Sequence, residues 1–273
     1  MFFGGETAES YYDEGLTSFM KGEIEQAIKH FERALQLDSS LNNAHHQLGK
    51  CYTRMGQPQE AIKHLQQALR NNPNLVPARV DLGYALLDMQ APEQARDVFF
   101  DVAALKPDNA RAQLGLADCA YQAGQWDAAI SLAQTALNFG GANFAAYYLL
   151  GRAAAFEKRI DISAQALNRA DALMEKSIET NPDQPEAYFL RGEVHYAQEA
   201  YMKAIEFYHA AEERAVAGKR YNAFGERFNL LDIKAKRGLA LQQFGEKEAA
   251  REVGAEILKS DPGHPLGRML TGQ

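Results

Sequence analysis

From Ala8 onward the chain alternates short amphipathic runs with polar breaks. In residues 44–55, Leu48 and Tyr52 fall four apart; in residues 60–71, Ala61, Leu65, Ala68 and Leu69 recur at three and four. That spacing puts one apolar stripe on each of two helices. Breaks such as RMGQPQE and QAGQWDA join the two by a short turn. Glycine there can take the left-handed geometry that ends a helix. Pro58 and Pro92 can begin the next one, where the missing N–H costs nothing. The elementary unit is a helical hairpin.

The hairpin repeats. Gly15, Gly49, Gly83, Ala117 and Gly151 follow one another at steps of 34, as do Ala27, Ala61, Ala95 and Ala129, and Pro73 and Pro107 share the same step. Glycine inside a helix costs about 1 kcal/mol relative to alanine. Its recurrence at one phase therefore needs a reason. Packing distance between helices depends on the side chains at the contact, so a small residue at Gly49 and at Ala61 lets the paired helices close and bury Leu48, Tyr52 and Leu65.

On these residues the sequence resembles the tetratricopeptide-repeat family. Leu48-Gly49, Tyr52, Gly56, Ala61, Ala68-Leu69 and Pro73 carry the resemblance. Leu82-Gly83, Leu86, Ala95, Phe99 and Pro107 repeat it, as do Tyr11, Gly15, Gly22, Ala27, Phe31 and Ala34-Leu35. The expected fold is all-α, a right-handed superhelix (solenoid) of about seven hairpins. These run over residues 8–41, 42–75, 76–109, 110–143, 144–184, 185–230 and 231–264, as a single solenoid between tails at 1–7 and 265–273. Phe2 and Phe3 can pack under the first helix. The fifth unit is seven residues too long, read as a second helix reaching Thr180 with Asp161 as its cap. The sixth is twelve too long, read as a longer connection, with or without an extended helix before it. After Pro262 too little sequence remains for the usual capping helix, so this end is expected to fray or to be covered by a partner or a second copy.

Composition narrows the function classes. The net charge is −7, against the basic surplus of a protein that tracks a nucleic-acid backbone. Cys51 and Cys119 stand alone, the pattern of reduced thiols rather than a disulfide framework or a zinc site. No stretch nears the ~20 apolar residues that span a bilayer, and MFFGGETAES lacks the basic and apolar regions of a secretory signal. A cytoplasmic location is expected, with membrane contact only through a partner.

The family resemblance implies that the first helix of each hairpin lines a concave groove for peptide or protein segments. The positions three before, one after and four after the small site mark the face beside the packing stripe. They supply Tyr84, Tyr121, Tyr148, Phe189 and Tyr196, with Lys50, Arg54 and Arg152 as anchors for acidic groups. The same rings can instead fill gaps between adjacent helices. Chaperone-binding members grip a C-terminal carboxylate with lysine, asparagine and arginine. The matching sites here hold Tyr12, Leu16, Gln47, Pro77 and Asp81, so that role is disfavoured.

Other chemistry is thin. His30 and His64 sit one repeat apart without an evident acidic or cysteine partner, and His45-His46 point to different helix faces, so no metal is expected. There is no phosphate loop, nucleophile elbow or zinc-protease helix, and no cofactor is expected. Lys219, Arg220, Tyr221, Phe224, Arg227 and Phe228 read as a solvated linker with two buried phenylalanines, or as a contact to an acidic partner, lipid headgroups or RNA. The expected function is a non-catalytic interaction scaffold. The alternatives are a ligand-sensing regulator whose curvature shifts on peptide binding, an assembly-factor fragment of a membrane-associated complex, and an enzyme or its substrate-recognition half.

Overall fold

The computed structural model describes residues 7–223 and 226–273. The expectations for Phe2, Phe3 and Phe224 lie outside them. The chain forms two compact units, Met1–Gly141 and Ala142–Gln273.

The first unit is four hairpins: α1 (Ala8–Lys21) with α2 (Ile24–Leu37), α3 (Asn42–Arg54) with α4 (Pro58–Asn71), α5 (Val76–Asp88) with α6 (Pro92–Leu105), and α7 (Ala110–Gln122) with α8 (Trp126–Asn138). Helices α2, α4 and α6 each also pack on the first helix of the next hairpin, and α1, α3, α5 and α7 touch in succession. The first helices thus form one layer of this unit.

One rule governs most of the pairings. A Cβ added at Gly15 would stand 2.6 Å from the Phe31 ring, one at Gly49 2.6 Å from Leu65, and one at Gly83 2.6 Å from Phe99. In each pair the large residue comes sixteen later and is fully buried. At the fourth hairpin Ala117 takes the glycine's place, and the residue sixteen later is Ala133, with both fully buried. The contact there is made by two small side chains.

The turn between paired helices uses a left-handed residue seven positions after the small site. Gly22, Gly56, Gly124 and Gly245 fill it without steric cost, but Gln90 (φ 57°), Lys158 (φ 56°) and Glu199 (φ 59°) do so as L-residues.

The second unit holds α9 (Phe144–Phe156), α10 (Ile160–Thr180), α11 (Pro185–Ala197), α12 (Tyr201–Arg214), the strands β1 (Arg220–Ala223) and β2 (Glu226–Asn229), then α13 (Leu230–Phe244), α14 (Lys247–Ser260) and α15 (Pro265–Thr271). The glycine rule continues: Gly151 lies against Leu167, and Gly192 against Tyr208. The fifth hairpin's surplus lengthens α10 to Thr180, as the pattern predicts. Its cap is different. Arg159 occupies that position without a side-chain cap bond, and Asp161 sits inside the first turn, where a carboxylate favours the helix dipole.

Two expectations are corrected. The sixth unit's surplus is neither a longer helix nor a loose linker: α12 stops at Arg214, and β1 pairs antiparallel with β2. Tyr221 and Phe228 are both buried, and Phe228 stacks on Phe189 at 3.9 Å, so the strand pair is part of the core. Asn229 then opens α13 with a reciprocal capping box to Asp232. The C-terminal residues are not a tail either. Helix α15 packs on α13 and α14, and Leu270, 3% exposed, fills the space beside Gly238. The seventh hairpin needs this, because the residue sixteen after Gly238 is Gly254, too small to fill its own seat.

Candidate functional site

The layer of first helices in the first unit carries four of the expected binding residues. Lys50 and Arg54 lie one turn apart on α3, and both cover the Phe19 ring of α1, at 4.9 and 3.9 Å. Arg54 Nη1 donates to the Phe19 carbonyl at 3.3 Å, and Lys50 Nζ donates to Gln47 Oε1 at 3.1 Å. Neither forms an ion pair with a carboxylate among the described residues, although Arg54 is exposed.

Beside them is a polar chain that crosses three hairpins. His46 Nε2 donates to Asp81 at 2.7 Å, and Arg111 Nη2 donates to the other Asp81 oxygen at 2.6 Å. Burial opposes the Asp81 charge, but the hydrogen bond from His46 and the Arg111 guanidinium outweigh it and hold the pKa below its usual value. Tyr84 donates to the Arg111 carbonyl at 2.9 Å, and its ring meets Phe99 edge-on at 5.0 Å. Burial pushes the Tyr84 phenol up, so it remains a neutral donor. Tyr84 is therefore half packing and half surface. Tyr121, also half-buried, lies edge-on to Trp126 at 5.0 Å.

The second unit treats its candidates differently. Phe189 and Tyr148 are only 3% and 6% exposed, so neither ring is an open platform. Phe189 is enclosed by Phe228 and Tyr208, and Tyr148 stacks on Phe144 at 5.1 Å. Sequence spacing offered both as surface residues and did not foresee this depth. Arg152 lies over the Tyr148 ring at 5.2 Å, and Tyr196, half-buried, meets Tyr201 edge-on.

A buried carboxylate ties three first helices of this unit together. Glu193 of α11, 6% exposed, accepts from Tyr208 at 2.7 Å, from Tyr148 at 3.3 Å and from Lys236 of α13 at 2.8 Å. Burial and the adjacent carboxylate push the Tyr208 phenol well above its ordinary value. Sequence reasoning missed Arg111 and Lys236, and noted Asp81 only in setting the chaperone-type clamp aside. Asp81 and Lys236 both stand two residues before the small site, a position that the three-position reading of the face skips.

The histidines resolve into pairs. His30 faces Glu14 at 3.1 Å, an acidic partner that the sequence did not reveal. His45 and His64 meet Nδ1 to Nδ1 at 3.0 Å. Among the described residues no three His, Cys, Asp or Glu side chains gather as a metal site, and no helix is long and apolar enough to cross a membrane. Of the basic insertion, Lys219 and Arg220 are exposed, and Lys219 covers the Tyr221 ring.

Comparison with known proteins follows the same repeat. Residues 20–102 match the family model for anaphase-promoting complex, cyclosome, subunit 3. Residues 86–153 and 163–219 match two tetratricopeptide-repeat models. No curated protein sequence matches the chain. Among solved structures, a tetratricopeptide repeat protein from Parabacteroides merdae ATCC 43184 aligns over 98% of both chains at 14% identity, with a TM-score of 0.66. MamA from Desulfovibrio magneticus RS-1 covers 63% of this chain and 97% of its own at 21% identity, TM-score 0.55. Another MamA structure covers 65% and 97% at 25% identity, TM-score 0.52.

Proposed function

The chain belongs to the tetratricopeptide-repeat family, and from that premise we propose that it is a non-catalytic scaffold holding a protein or peptide segment against its first helices. One observation carries the reading: in the first unit these helices lie side by side and present cationic and aromatic side chains, Lys50, Arg54, Tyr84 and Tyr121, that are at most half-buried. Aromatic and arginine side chains dominate the energy of interfaces because they offer area and directed bonds at low entropy cost. In the second unit, taken by itself, Arg152 and Tyr196 are half-buried candidates on first helices, while Tyr148 and Phe189 lie in its core. The reaction chemistry of an enzyme has no constellation to rest on, and a net charge of −7 argues against nucleic acid as the partner.

The test is site-directed photo-crosslinking of the full chain to its captured partners. Probes at positions 50 and 121 should crosslink; probes at 63 and 97, on second helices, should not. Crosslinks confined to the second helices would refute the reading.

A further inference from the structure

We propose that the first unit takes an acidic protein segment, with Lys50 and Arg54 above Phe19 as its carboxylate-binding point. The inference rests on the groove reading and gives it a ligand chemistry. The support is a census of charge. Arg111 is held by Asp81, Lys236 by Glu193, Arg237 by Glu212 and Arg191 by Asp171. Lys50 and Arg54 lie on the first unit's layer of first helices with no carboxylate of their own among the described residues, in a chain whose net charge is −7.

Their donors are set in advance. A lysine ammonium has three N–H donors and a guanidinium five. One contact from Lys50 goes to Gln47, and Arg54 gives one N–H to the Phe19 carbonyl. The rest remain for a ligand. Phe19 holds both charged heads by cation–π attraction, so binding does not have to freeze two free side chains. The Arg54 bond to the last turn of α1 adds to that order, since a cation is favoured at a helix C-terminus. Half-buried Leu16 and Tyr12, one and two turns back from Phe19 along α1, offer apolar surface beside the charges. The matching segment has an Asp or Glu side chain with an apolar neighbour.

The experiment measures anisotropy of fluorescein-labelled hexaglutamate, hexaglutamine and hexalysine peptides against the full chain. Hexaglutamate should bind, and at least tenfold more weakly at 300 mM than at 50 mM salt; hexaglutamine and hexalysine should not. Lys50→Ala/Arg54→Ala should lose at least tenfold with an unchanged helical signal. Lys50→Gln, which leaves the Arg54 bond intact, should lose at least threefold. Lys247→Ala/Lys259→Ala, the same charge removed from the second unit, should bind as the parent does. No hexaglutamate binding, binding indifferent to Lys50 and Arg54, or equal loss in the Lys247/Lys259 control would overturn the proposal. The groove reading fails separately, through the crosslinking pattern from positions 50 and 121.

Discussion

Gly83 and Phe99 meet so closely that a Cβ on the first would stand 2.6 Å from Cε1 and Cζ of the second. The ring is fully buried and has Gly115 of the next hairpin against it as well. Gly83→Ala should gain about 1 kcal/mol of helix propensity and lose about 1–3 kcal/mol to overpacking. The net effect is destabilising, and Gly83→Val should be worse. Phe99→Ala alone should cost about 3–5 kcal/mol. The double variant reproduces the Ala117–Ala133 arrangement of the fourth hairpin. It should cost less than the sum of the singles, with a coupling of roughly 1 kcal/mol or more in denaturant titrations. Strict additivity would show that the contact does not set the helix spacing.

The same relationship explains what could be read in advance. Period, small residues and closing prolines are all local, so the hairpins and the length of α10 were legible. The strand pair was not, because Tyr221 and Phe228 are too few to establish an alternation and owe their burial to Phe189, remote in sequence. Helix α15 left a trace: Gly272 falls 34 after Gly238, and Leu270 sixteen after Gly254. For the candidate site, spacing put Lys50, Arg54 and Tyr84 on first helices, where they are exposed or half-buried. It could not tell a half-buried ring from Tyr148 and Phe189, because depth depends on which distant element covers each position.

Lys158 holds a left-handed turn at φ 56° where four hairpins use glycine. For an L-residue that conformation costs about 1–2 kcal/mol. Lys158→Gly should therefore raise stability, by up to about 1 kcal/mol after the added flexibility of the unfolded chain is subtracted. Gly56→Ala, with nothing within 4 Å of its added Cβ, should lower it for the same backbone reason. A thermal melt of both variants checks the sign. A less stable Lys158→Gly would mean that side-chain contacts, rather than the turn geometry, decide this position.

Leu270 closes the last hairpin. Truncation to alanine should cost about 2–4 kcal/mol, the range for a buried leucine. The loss should be local, because repeat units depend chiefly on their neighbours. Hydrogen exchange should quicken in α14 and α15 and stay unchanged in α1 to α4. Uniform acceleration along the chain would show that the two ends are energetically linked.

The His45–His64 pair makes stability depend on pH. Their Nδ1 atoms face one another at 3.0 Å with ring centroids 5.3 Å apart, so the rings meet nearly head-on and one proton fits between them. Burial, then the charge of His45 and of Lys63, lowers the His64 pKa to about 4 despite Glu60; burial and Arg70 lower that of His45. An unfolded histidine titrates near 6.5, at about its model-peptide value. Below that pH the unfolded chain binds protons that the folded pair refuses, so stability falls with pH. The contribution is intact above about pH 6.5 and disappears as pH falls toward 4. His195, lowered chiefly by burial, acts in the same direction, whereas Asp81, already lowered, contributes only below the ordinary carboxylate range. The melting temperature should therefore drop between pH 7 and pH 4.5, and His45→Gln/His64→Gln should shrink that drop while leaving the His195 share in place. An equal drop in the double variant would mean that this pair is not what acid disrupts.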